Sequence, residues 1–191
     1  MRHMMLISAI AVMVVSDHAA EPNPSVAPTS TTPTIAMVDP VFDCYHVNSA
    51  WGYILAGKVI DAEGTIWNYG KRGKAWLPAL VKEGDAVYLT TADLQAKFAE
   101  PTKAGHVDAK TLADNSALIA KAAQGKLTQT DTGTRDAGSS TCHAYIHAEA
   151  QQRYRDIELG TDGGVSDMRV ANDAAEAQTL LTWLKSAGIA K

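Results

Sequence analysis

Apolar and polar positions alternate with period two through residues 53–69 and again through much of residues 141–170, while residues 91–124 and 173–188 carry the three-to-four spacing of helices. Tyr53 to Ile60 and Thr65 to Tyr69 read as two strands within a β-rich stretch that starts near Val41. "DAEG", 61–64, joins them with the spacing of a type I turn closed by a left-handed glycine. Pro78 interrupts any regular element in "AWLPALVKEGDAVYLT"; Glu83-Gly84-Asp85 reads as a turn and Ala86 to Leu89 as a short strand. Thr90 or Thr91 caps a short helix, "ADLQAKFAE", which Pro101 stops. Asp108 caps a second helix running from Ala109 to Gln124, with Leu112, Ile119, Ala120 and Ala123 on its apolar face. Asn172 or Asp173 caps a third, in which Asp173 and Glu176 have the spacing of a capping box and Ala177, Leu180, Leu181 and Leu184 form the buried stripe, with Trp183 at its edge.

Between the second and third helices, "TQTDTGTRDAGSS" reads as a loop. Three strands follow it: Thr141 to Ala148, Arg153 to Leu159 and Val165 to Val170. The Asp-Gly signal in "GTDGG", 160–164, pairs the last two as a hairpin. The pattern predicts an α+β fold: one domain over residues 37–191, with an antiparallel sheet built from an N-terminal hairpin and a C-terminal meander, packed on one face by about three helices.

The N-terminal segment changes where this domain is expected to act. Arg2 followed by the 12-residue apolar stretch Met4 to Val15 resembles a secretory signal over residues 1–20, with cleavage after Ser16 or Ala20. A buried N-terminal helix is the competing reading, and the stretch is too short to span a bilayer. Residues 21–36 are rich in Pro, Ser and Thr and read as a disordered tether. Export to the periplasm or the extracellular space is the expectation, with no transmembrane segment and no lipid-anchor cysteine after the apolar stretch.

Composition is that of an ordinary globular chain: 191 residues, 46% hydrophobic and 20% charged. The net charge of -4 argues against nucleic acid as a partner, and the one dense basic run, "KRGK" at 71–74, reads as a solvated loop. In an exported chain the two cysteines, Cys44 and Cys142, suggest a disulfide across 98 residues. The alternative is zinc, since His46 and His143 are close in sequence to the thiols, but neither spacing fits a zinc knuckle.

"TCHAYIHAE", 141–149, concentrates the candidate chemistry. On a helix, His143 and His147 would stand about 6 Å apart and could chelate an ion. On a strand the same offset spans roughly 13 Å, which no single ion bridges. The alternation favours the strand, with Cys142, Ala144, Ile146 and Ala148 turned inward and His143, Tyr145, His147 and Glu149 turned outward. The neighbouring strand adds Tyr154, Asp156 and Glu158 if its polar side faces the same way. His143, His147, Asp156 and Glu158 are therefore candidate acid–base residues, and Tyr145 and Tyr154 candidate binding residues. The competing expectation is a sheet face that simply meets water. Trp51, Tyr53, Trp67 and Tyr69 form either cross-strand packing or an aromatic binding patch. A Cys44/His46 nucleophilic pair requires a free thiol. The chain carries no G-x-S-x-G, H-E-x-x-H or Walker motif, no EF-hand loop and no internal repeat. Nothing in it calls for a metal or a cofactor.

"NSAWGY", "GKVIDAEGTIWNY" and "IELGTDGGVSDMRVANDAAEAQTLLTWLKSAG" resemble small exported proteins of Gram-negative bacteria, some of them lipoproteins. That resemblance implies export and one α+β domain and carries over no site. The expected function is a non-catalytic envelope or secreted binding protein, with an envelope protein or a cell-wall component as partner. The alternative is an acid–base hydrolase using the His/carboxylate cluster.

Overall fold

The computed structural model describes residues 39–50, 52–131, 138–163 and 168–190. The signal and tether segments, Trp51, Gly164 and the first part of the strand expected at Val165 to Val170 lie outside them.

Ten strands among the described residues form a mainly antiparallel sheet, so the α+β expectation holds. The expected N-terminal hairpin is β2 (Tyr53–Asp61) and β3 (Thr65–Gly73), joined at Gly64, whose φ of +81° supplies the left-handed residue of the turn. The C-terminal meander is β8 (Ser139–Ala148), β9 (Arg153–Gly163) and β10 (Met168–Asn172), each antiparallel to the next. The two halves are tied together by β1 (Pro40–Asn48), which pairs with β2 on one side and β8 on the other. Further strands extend the sheet: β4 (Val81–Glu83) and β5 (Ala86–Thr90) beyond β9, β6 (Thr102–His106) beyond β3, and β7 (Leu127–Asp131) beside β10.

Several of these positions correct the sequence reading. "TQTD" is strand rather than loop; it pairs with β10, and Thr128, Gln129 and Thr130 are exposed, so it needs no apolar alternation. Lys71 to Gly73 of the basic run are the end of β3, held by pairing with Tyr53 to Leu55. The last two strands pair antiparallel as the Asp-Gly signal predicted, but β9 reaches further than expected, along β8 as far as the Ser139–Gly163 pair. Gly160 is needed there for close packing: a Cβ would come 3.2 Å from Leu181 Cδ1 and 3.3 Å from the Val170 carbonyl.

The helices follow their local signals at most ends. In α1 (Thr91–Lys97) the Thr90 hydroxyl accepts from the Asp93 amide at 3.1 Å, and Asp93 returns a bond to the Thr90 amide at 3.1 Å. Asp108 caps α2 (Ala109–Ser116) by accepting from the Thr111 amide at 2.9 Å. The second helix, however, is broken: α3 (Ile119–Ala122) is separate. Asn115 turns its side-chain amide back on the Thr111 carbonyl, and the Leu118 amide bonds to Asn115 with the tighter three-residue spacing. The capping box expected for α4 (Ala175–Ser186) does not form. Ala174 is the N-cap, Asp173 accepts from the Lys126 amide, and Glu176 faces Lys121 at 3.7 Å. Gly188, at φ +67°, ends the helix, and Ile189 and Ala190 donate back to Leu184.

Helices cover both faces of the sheet, not one. On the first face α2, α3 and α4 enclose a core that includes Phe42, Ile60, Ala144, Leu159, Leu180 and Leu184, each fully buried. Trp183 meets the Phe42 ring edge-on at 5.0 Å. On the second face α1 and the 74–80 segment cover Leu55, Val59, Leu89, Leu94, Phe98 and Tyr145. Burying each such aliphatic or aromatic side chain contributes about 1.5–3 kcal/mol.

Candidate functional site

The second face carries the candidate chemistry. Register decides which side chains meet: β1 places Asp43 and Tyr45 on this face, β8 places His143 and Tyr145, and β9 places Asp156 and Glu158. His143 stands across from Asp43 on one side and Glu158 on the other; Tyr145 is opposite Asp156. Around Asp43, His143 and Tyr145 the face is buried, so there the expectation of a water-facing sheet is corrected, while His147 at its end stays exposed. The physical reason is α1, whose Leu94, Lys97 and Phe98 lie at i, i+3 and i+4 and close over it.

Asp43 and Lys97 form a fully buried ion pair, with Lys97 Nζ 2.5 Å from Asp43 Oδ2. Tyr69 donates to Asp43 Oδ1 at 2.5 Å and Tyr145 to Oδ2 at 3.2 Å. The ammonium also lies 4.0 Å from the Tyr45 ring centroid and 4.6 Å from that of Trp76. Sequence reasoning missed this cluster. Two signals were present: an aspartate inside the apolar run "VFDCY" and a lysine on the apolar stripe of α1. Neither names its partner, because the two residues lie 54 positions apart.

Next to it, His143 Nδ1 is 2.7 Å from Asp156 Oδ1. Burial opposes a charge on His143, but the carboxylate's charge and hydrogen bond outweigh it and raise the histidine above its ordinary value. Burial likewise favours a neutral Asp156, yet the charge and hydrogen bond of His143, with Lys97 nearby, keep it below the usual carboxylate range. The other ring nitrogen of His143 faces Tyr45 Oη at 3.4 Å, and the two rings are nearly parallel, 7° apart. Burial first, then the charges of Asp43, Asp156 and Glu158, push the Tyr45 phenol well above its ordinary value. Burial and Asp43 do the same to Tyr69 and Tyr145. These phenols keep their protons, and Tyr69 and Tyr145 donate theirs to Asp43.

The remaining candidates separate. His147 stacks on Tyr154 at 4.5 Å, with Nδ1 3.7 Å from Asp39 Oδ2, and takes no part in the His143 cluster. Burial and Asp39 raise the Tyr154 phenol. Glu158 accepts from the Thr161 hydroxyl at 2.6 Å rather than from a histidine. Glu149 leaves the strand for a short 3-10 turn, Glu149–Gln151. Tyr69 is buried, and Tyr53 and Trp67 pack against the second core, as cross-strand packing requires.

A concavity of about 380 Å³ opens beside this cluster, lined in part by Tyr45, Trp76, Lys97, His143, Asp156 and Glu158. It lies where the sheet is incomplete. β5 pairs with β9 as far as Asp156 and β10 pairs from Gly160 onward, which leaves Ile157 to Leu159 without a strand on that side. The buried Asn172 amide fills the gap, donating to the Glu158 and Ala122 carbonyls at 3.0 Å each.

Cys44 and Cys142 are register partners on the first face, with Cα atoms 4.1 Å apart, and form a disulfide. That leaves no free thiol for a Cys44/His46 nucleophile or a zinc site. Among the described residues, no three His, Cys, Asp or Glu side chains are grouped to hold a metal, and no helix is long and apolar enough to cross a membrane. Searches against protein-family models, curated proteins and solved structures return no match to this chain.

Proposed function

We propose that this is an exported, non-catalytic binding protein of the cell envelope or its surroundings, and that its partner is another protein. One observation carries the reading. Leu77, Leu80 and Val81 are 86%, 51% and 40% exposed within five residues, at a strand whose one partner among the described residues is β5. Clustered large apolar side chains beside an open strand edge are the chemistry of protein docking, in which main-chain hydrogen bonds and apolar pockets act together. The apolar N-terminal segment and the disulfide support export, since disulfides persist in oxidising compartments.

A second reading, an acid–base enzyme, is favoured by the 2.7 Å His143–Asp156 contact beside a concavity. Against it stands Tyr45, which occupies the histidine nitrogen a substrate would need.

Cross-linking to envelope fractions separates the two. Wild-type protein should capture a saturable partner, the Leu77→Ser/Leu80→Ser variant should lose it, and His143→Gln should keep it. No partner above background, or equal capture by the leucine variant, defeats the docking reading. Turnover of an ester, amide or glycoside substrate that disappears in His143→Gln would establish the enzymatic one.

A further inference from the structure

The first face holds a larger groove, about 490 Å³, within the roughly 300–1,000 Å³ of small-molecule sites. It crosses the sheet where α4 stops covering it. Alternation decides its floor: Cys44 and His46 of β1, Ala56 and Lys58 of β2, and Ser140 and Cys142 of β8 all point to this face. Apart from Lys58 and His46 the floor is small, and Gly160 keeps it open on the β9 side, since any side chain there meets Leu181. Leu181, Ile189 and Val170 supply an apolar wall.

The charges along the groove are uneven. Lys58, Arg169 and Lys185 line it, and Asp162 is the only carboxylate among the described lining residues, in a chain whose net charge is -4. Lys58 is fixed by donating to the Gly188 carbonyl at 2.6 Å, which holds one ammonium over the floor with further N–H donors to give. His46 adds a ring that is 3.1 Å from the Ser140 hydroxyl. An apolar wall with cations at its margin complements a molecule that has an apolar body and one anionic end.

We infer that this groove is a binding site for a small amphipathic anion, an alkyl or acyl chain ending in a carboxylate or phosphate. Its chain lies along Leu181 and Ile189 over the disulfide, and its head group meets Lys58, Lys185 and Arg169. The site is independent of the edge strand proposed above. Free fatty acids and single-chain phosphates share this chemistry with phospholipids, so the test must separate monomeric ligand from membrane surface.

Titration calorimetry on the full chain with dodecanoate, dodecyl phosphate and dodecanol makes that test, alongside sedimentation with vesicles of phosphatidylglycerol. One-to-one binding of dodecanoate or dodecyl phosphate about tenfold tighter than dodecanol is expected, the scale of one or two exposed ion pairs. Arg169→Glu with Lys185→Glu should remove that preference while leaving the urea midpoint unchanged. Ala56→Leu, at an exposed floor position, should fill the groove and abolish binding of all three. Equal affinity for the alcohol, or binding that survives Ala56→Leu, overturns the site. Binding to vesicles without binding to either monomeric anion overturns it as well, and marks surface adsorption instead.

Discussion

Replacing Lys97 with methionine tests the central feature of the second face. Methionine keeps the length of the side chain and its contacts with the Tyr45 and Trp76 rings, and removes only the charge. Asp43 is then left buried, holding Tyr69 at 2.5 Å and Tyr145 at 3.2 Å as donors but no cation. Removing one partner of a buried pair costs about 3–5 kcal/mol, because the other charge stays out of water. The opposite truncation is worse. Asp43→Leu strands the ammonium and two phenols, and each unsatisfied phenol adds about 1–3 kcal/mol. The fourfold change Asp43→Leu/Lys97→Met/Tyr69→Phe/Tyr145→Phe removes every polar member together and should be less damaging than Lys97→Met alone, since apolar replacement of a buried pair is often near neutral. Urea unfolding of the oxidised protein at pH 7, with the denaturant slope checked for constancy, reads all three. A Lys97→Met variant within about 1 kcal/mol of wild type, or a fourfold variant weaker than both truncations, would refute the reasoning.

Other perturbations address the remaining elements. Reduction of the Cys44–Cys142 bridge, which spans 98 residues, should lower stability by about 4–5 kcal/mol, read as the shift in urea midpoint with and without reductant. The folded value of His143 is raised, so its contribution is complete below the unfolded value of about 6.5 and is lost as pH rises through the folded one; Asp156 is lowered, so its contribution is present above about 3.9 and is lost as pH falls. Unfolding free energies at pH 5–9 should therefore decline on the alkaline side in wild type, and His143→Gln should flatten that limb. An unchanged slope would mean the pair is not ionised as described. Gly125→Ala would set a methyl against Asn172 Oδ1 and within 2.8 Å of Ala174, displacing the amide that serves two carbonyls; about 2–4 kcal/mol should be lost, measured by the same unfolding curves.

Local chemistry was readable from residues alone. Alternation around Cys142 identified a strand with the thiol turned inward, where the disulfide forms; it named Asp156 as a neighbour of His143 only if the next strand's register allowed, and the β8–β9 pairing supplies that register. The turn at Gly64 and the caps at Thr90 and Asp108 were equally legible, because each is set within three or four residues. Local signals failed where a distant segment won. β9 runs on past its expected end at Leu159 because β8 lies alongside, and Asp173 turns to Lys126 rather than capping α4.

What the sequence by itself determined is thus the α+β character, the inward thiols and the short-range turns and caps. Tertiary structure alone decided that helices cover both faces, that β1 joins the two halves, and that Asp43 meets Lys97. Turn and cap energies depend on neighbours in the chain, whereas burial and charge pairing depend on which distant surfaces the folded sheet brings together.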